Sequence, residues 1–189
     1  MLVSDTTFAQ YDSSPIIVNE IGVFPQSKDR YIELLVLGDT NQPANVPVDL
    51  SGWSIDNLSS ADPADMGYIS LGTAFTNVYP GSLILLYDPE HLHGKIDPTN
   101  NGLPNDDGVY QVPFDSPHLI KHAINSVGDV NGTFSWDKSL GWASSADAII
   151  VRDPSQTPQH AISWAGAAFE ERNGYSTVNI ARPLPPQLT

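Results

Sequence analysis

Pro15-Ile16-Ile17-Val18-Asn19-Glu20-Ile21-Gly22-Val23-Phe24, Arg30-Tyr31-Ile32-Glu33-Leu34-Leu35-Val36-Leu37 and Val48-Asp49-Leu50-Ser51-Gly52-Trp53-Ser54-Ile55-Asp56-Asn57 decide the fold of this chain. Three runs of β-branched, aromatic and aliphatic residues, separated by Pro, Gly, Asn and Asp clusters, read as three consecutive strands. The spacing leaves no room for crossover helices. In the first run Ile16 and Val18 share one face and Ile17 and Ile21 the other, so both faces carry apolar cover, which two packed sheets provide.

Working outward, Pro25 to Asp29 reads as a hairpin loop and Gly38 to Pro47 as a longer polar loop. Trp53, following Gly52, is expected to fill the centre of a sandwich. Asp56 to Gly67 reads as an acidic loop, followed by strand-like Tyr68-Ile69-Ser70-Leu71. Pro80-Gly81 is a turn signal ahead of Ser82 to Asp88, whose aliphatic run Leu83-Ile84-Leu85-Leu86 suits a sheet interior. Ala146 to Asp153 and Gln159 to Trp164 read as two antiparallel closing strands around a Pro154–Pro158 turn, and Tyr175 to Ile180 as another short strand. The last stretch, Arg182-Pro183-Leu184-Pro185-Pro186, is polyproline-like in composition.

The Ile-Val-Asn-Glu-Ile, Tyr-Ile-Glu-Leu and Val-Asp-Leu-Ser-Gly-Trp-Ser-Ile motifs resemble the start of the lamin tail domain family. Tyr79 to Tyr87, Ala146 to Asp153 and His160-Ala161-Ile162-Ser163-Trp164 resemble its second half. The resemblance covers roughly Pro15 to Gly166 and implies an all-β, immunoglobulin-like antiparallel β-sandwich of the kind found in prokaryotic secreted and surface proteins. It implies interaction surfaces and no shared catalytic residues. The expected organisation is an extended N-terminal arm at 1–14, the sandwich at 15–168 with a long loop insertion at about 89–144, and a C-terminal extension at 169–189. The arm reads either as a frayed end or as a strand donated to a neighbouring subunit.

The chain of 189 residues is long enough for one sizeable core. With 22 acidic against 8 basic residues its formal net charge is −14, which repels polyanions and excludes nucleic acid as an expected partner. Cysteine is absent, so disulfides and thiolate metal sites are excluded. No apolar run reaches membrane-spanning length, so membrane insertion is not expected. The start lacks the features of a signal peptide, as a mature secreted form would.

The densest oxygen donors lie in Asp97-Pro98-Thr99-Asn100-Asn101-Gly102-Leu103-Pro104-Asn105-Asp106-Asp107-Gly108. Asp97, Thr99 and Asn101 alternate and Gly102 follows at a sharp-turn position, as in the first half of a calcium loop, but Gly108 stands where a bidentate Glu belongs. Asn105, Asp106 and Asp107 supply further hard oxygens. Calcium binding and a solvated Asn/Asp/Gly turn both fit these residue types. Asp129 and Asn131 form a weaker echo for the same or a second ion. His91 and His93 make a pair too small to define a transition-metal site, and His118, His122 and His160 are scattered.

Trp136 and Trp142 have the character of ligand-stacking or interface aromatics, and packing onto the sandwich suits them equally. Glu20 and Glu33 invite an acid/base reading, but no partner nucleophile accompanies them. Asn57-Leu58-Ser59 and Asn131-Gly132-Thr133 match glycosylation acceptors. With no metalloprotease, phosphate-loop or nucleophile-elbow motif, the expectation is a non-enzymatic, secreted or cell-surface protein with calcium as cofactor. Its expected partner is protein, foremost a second copy of the chain. The alternative is a module binding a carbohydrate or other surface ligand through the inserted loops.

Overall fold

The computed structural model describes residues 14–22, 31–43, 45–57, 67–89, 108–122, 147–164 and 178–180. Ten strands in these segments form two sheets: β1 (Ile16–Gly22), β2 (Tyr31–Val36), β3 (Ser54–Asn57), β4 (Tyr68–Leu71), β5 (Leu83–Tyr87), β6 (Val109–Pro113), β7 (Leu119–His122), β8 (Asp147–Arg152), β9 (Pro158–Trp164) and β10 (Val178–Ile180). The first sheet has the order β1-β2-β5-β6 and the second β10-β9-β8-β3-β4-β7. Their facing sides share one core, so the protein is an all-β sandwich.

Alternation assigns the faces. In β2, Ile32, Leu34 and Val36 are fully buried while Tyr31, Glu33 and Leu35 between them are half-buried. Ile84 and Leu86 of β5 and Tyr110 and Val112 of β6 continue that inner face. Opposite them stand Ile55, Ile69, Leu71, Ile149, Val151 and Ile162 of the second sheet. Each such aliphatic side chain, fully withdrawn from water, contributes roughly 1.5–3 kcal/mol before conformational entropy is subtracted.

Trp53 is 8% exposed and belongs to this core, as its sequence position predicts. It does not continue a strand from Val48, however. Val48 makes an isolated bridge to Val78, and a turn at Ser51-Gly52, with Gly52 at φ +80°, separates that bridge from β3. Trp53 thus precedes β3 and enters the core from the residue just before that strand. Asp56 and Asn57, read above as the opening of an acidic loop, are buried members of β3.

Each sheet contains one parallel pair, where antiparallel pairing throughout was expected: β5 with β6, and β9 with β10. Both are edge pairs. The segment read as a loop insertion supplies β6 and β7, one for each sheet. Tyr79 to Ser82 is a hydrogen-bonded turn in which Gly81, at φ +85°, takes the left-handed position after Pro80. The Asp153–Thr157 turn links β8 and β9 as the sequence indicates.

Candidate functional site

The outer face of the second sheet carries a polar strip that ends at an exposed edge. One rung runs from Ile150 through Asp56 and Tyr68 to His122, the next from Arg152 through Ser54 and Ser70 to Ile120. Period-two alternation puts these side chains opposite Ile55, Ile69 and Leu71, which enter the core.

At the inner end of the strip Arg152 Nε donates to Asp56 Oδ2 at 3.4 Å. Asp56 is 7% exposed, and among the described residues its Oδ1 accepts no hydrogen bond. Burial drives the Asp56 carboxyl up to about 6, against the pull of the Arg152 guanidinium. Arg152 also donates from Nη1 to the carbonyl of Gln156 at 3.3 Å, and Gln156, at φ +65°, bonds through its amide to Ser54 Oγ. The ion pair is thereby tied to the β8–β9 turn.

At the outer end Tyr68 stacks on His122, ring centroids 4.1 Å apart and planes 10° from parallel. Ser70 Oγ lies 3.1 Å from His122 Nε2. Burial lowers the His122 pKa, favouring the neutral ring. In residue type Ser70 and His122 are a nucleophile–base pair, but Ser70 is 5% exposed and Asp56, the carboxylate on the same rung as His122, is engaged by Arg152. The geometry instead fastens β7 to β4.

β7 is the edge of its sheet. Gly72 N donates to His118 O at 2.9 Å, which fixes the ladder phase: Ile120 and His122 exchange backbone hydrogen bonds with Ser70 and Tyr68, and Lys121 directs its N–H and C=O away from the sheet. Ile120 is 51% exposed and Lys121 is exposed. An aliphatic side chain, a cation and an outward backbone pair are what an incoming strand meets.

The two edges of the first sheet differ. β1 bulges between Val18 and Glu20, and the Val18 N–H is taken by His160 Nδ1 across the sandwich at 3.1 Å. β6 ends in Pro113, which has no N–H. Glu20 and Glu33 face each other across β1 and β2. Tyr31 donates its hydroxyl to Glu20 Oε1 at 2.5 Å and Asn19 its amide to Glu33 Oε1 at 2.6 Å, so both carboxylates act as hydrogen-bond acceptors on the sheet surface.

Asp97, Thr99, Asn101, Asn105, Asp106, Asp107, Asp129, Asn131, Trp136 and Trp142 all lie outside the described residues, as do His91, His93 and the arm up to residue 13. Among the described residues no three His, Asp or Glu side chains converge as a metal site, and no helix is long and apolar enough to cross a membrane. Asn57 is 1% exposed on β3, so the first glycosylation motif does not present its acceptor at the folded surface. Sequence reading missed Asp56, Arg152, Ser70 and His122. The Ser54-Ile55-Asp56 alternation carried the signal that Asp56 belongs to a strand, but its pairing with a residue 96 positions away did not show. No protein-family model matches the chain, and no curated protein is found to match it.

Proposed function

We propose that this protein is a non-enzymatic structural module, secreted or surface-exposed, which joins other proteins, and foremost copies of itself, by strand addition. The lamin-tail-like motifs belong to this reading, as does calcium bound by the oxygen-rich Asp97–Asp107 stretch. The observation that carries it is the β7 edge, where Ile120 is exposed and the Lys121 backbone points outward. The extended arm before Pro15 is the strand offered to that edge. Lys121 gives the edge a cation in a chain of net charge −14, which favours an acidic partner strand and discourages indiscriminate pairing. Calcium lowers the repulsion between copies as well as stiffening the loop.

Light scattering coupled to size-exclusion chromatography, with calcium and with chelator, tests the reading. Oligomers or filaments are expected with calcium. Lys121→Pro removes only an outward N–H, so it is expected to leave the melting temperature nearly unchanged and to abolish association. A wild-type chain that stays monomeric at high concentration with calcium would overturn the proposal. So would filaments unaffected by Lys121→Pro.

A further inference from the structure

Ser54 and Gln156 stand 102 positions apart in the chain and meet where β3 faces the β8–β9 turn. Ser54 is fully buried and pairs with Arg152, the last residue of the strand that leads into that turn. Its Oγ lies 3.3 Å from Gln156 Nε2 and 3.5 Å from Gln156 Oε1. A hydroxyl on the axis of a single amide N–H lies much farther from the amide oxygen than from the nitrogen. The near-equal separations instead set Oγ against the carboxamide carbon that joins the two atoms.

The turn holds Gln156 in this position. Its φ of +65° is a left-handed conformation that costs energy in a residue with a Cβ, and surrounding bonds maintain it. Asp153 O accepts from Gln156 N at 2.8 Å, Asp153 Oδ1 accepts from Thr157 N at 2.9 Å, and Arg152 Nη1 donates to Gln156 O at 3.3 Å. Arg152 Nε also reaches Asp56, the next residue on the same face of β3 as Ser54. One guanidinium therefore spans the turn and the carboxylate. A buried hydroxyl against a carboxamide, with a carboxylate and a cation beside them, supplies the parts of an acyl transfer.

We propose that Ser54 and Gln156 join in an ester, formed once per molecule after folding. Ser54 Oγ attacks Gln156 Cδ, the hydroxyl proton passes to the Asp56 carboxylate, and the Arg152 charge stabilises the tetrahedral oxyanion. The Cδ–Nε2 bond then breaks, Asp56 returns the proton to the leaving nitrogen, and ammonia departs. Burial raises the Asp56 pKa to about 6, which makes its carboxylate a stronger base than an ordinary Asp and leaves it ionised above neutral pH. Escape of ammonia draws the reaction forward, and burial of Ser54 shields the product from water. The chain has no cysteine with which to form a disulfide. An ester between an inner strand of the second sheet and a distant turn restricts the unfolded chain in the same way. This modification goes beyond the self-association proposed above and does not depend on it.

The full-length chain, kept folded at mildly alkaline pH, is digested with trypsin and its fragments are analysed by mass spectrometry. A fragment joining the Ser54 peptide to the Gln156 peptide, lighter than their sum by one ammonia, is expected. Intact mass does not decide the matter, since succinimide formation at Asn101-Gly102, Asn131-Gly132 or Asn173-Gly174 also releases ammonia. Ser54→Ala and Gln156→Ala should each lose the joined fragment, and a chain held unfolded in urea should not form it. Asp56→Asn should slow joining at least tenfold and abolish the decline in rate as pH falls through about 6, a profile that a merely structural carboxylate does not set. A wild-type digest without the joined fragment overturns the proposal, as does the same fragment in Ser54→Ala or in urea. An unchanged rate and pH profile in Asp56→Asn overturns the part given to Asp56.

Discussion

Val18 and His160 belong to different sheets, and the backbone N–H of Val18 donates to Nδ1 of His160 at 3.1 Å. This bond crosses the sandwich at the bulge of β1, where the ladder to β2 shifts register. A nitrogen that accepts a hydrogen bond carries no proton, so His160 is neutral with its proton on Nε2. Burial lowers its pKa to about 4.

The folded pKa lies below the unfolded value near 6.5, so the unfolded chain takes the proton first as pH falls. Stability from His160 is present above about pH 6.5 and is lost progressively down to about pH 4, by no more than about 3 kcal/mol. His160→Gln retains an acceptor and does not titrate. Its melting temperature should fall less than that of wild type between pH 7 and pH 5; parallel falls would contradict the role given to His160. His160→Leu strands the Val18 N–H and should cost about 1–3 kcal/mol at pH 7.

Asp56 works in the opposite sense over part of the same window. Its folded pKa of about 6 lies above the ordinary 3.8, so the folded chain holds the proton more tightly and ionisation costs stability as pH rises through that interval. Asp56→Asn should therefore change stability little at pH 5 and steepen the acid loss attributed to His160. A flatter pH profile in urea unfolding of this variant would refute the sign.

Arg152→Met removes the cation and leaves Asp56 buried beside no counter-charge. The expected loss is about 3 kcal/mol at pH 8 and clearly less at pH 5, where the carboxyl takes a proton. Adding Asp56→Asn should restore much of the stability, a coupling that a double-mutant cycle measures directly. Additive losses would show that the pair contributes no coupling.

A Cβ on Gly72 would meet the carbonyl oxygen of His118 at 2.5 Å. That oxygen accepts the Gly72 N–H and sets the phase of the β4–β7 ladder, so neither group is free to step aside. Gly72→Ala should destabilise by about 1–3 kcal/mol and speed hydrogen exchange at Ile120 and His122, while protection in β2 and β5 persists. Uniform loss of protection across both sheets would mean that β7 is not a separable edge.

Calcium is expected to raise the melting temperature over chelator by about 5–10 °C when present at about 100 times its dissociation constant. Equal midpoints would remove the ion from the proposal.

Where side chains alternate strongly, the fold was legible. Ile32, Leu34 and Val36 against Tyr31, Glu33 and Leu35 mark β2 without ambiguity, and the Pro154–Pro158 turn places β8 against β9. The four-residue β7 was not legible, because Leu119-Ile120-Lys121-His122 has one buried position and no flanking apolar run. β6 alternates, but Pro113 at its end and the Asp-rich stretch before it read as loop, and a parallel partner leaves no hairpin signal. The polar strip escaped for a different reason: Asp56, Ser70, His122 and Arg152 come from four strands, and only the register brings them together. Trp53 was legible as a core residue from its large ring after Gly52.

The parallel pairing of β5 with β6 also shapes how the chain reaches its native state. Hairpins such as β8–β9 close within microseconds, but a parallel neighbour arrives only after a long segment has been threaded past the sheet. Until it does, the Leu83–Tyr87 flank next to β6 is an open apolar margin, able to capture the same strand of another nascent molecule. Refolding yield should accordingly fall with rising protein concentration, and the slow step should be the docking of Val109–Pro113.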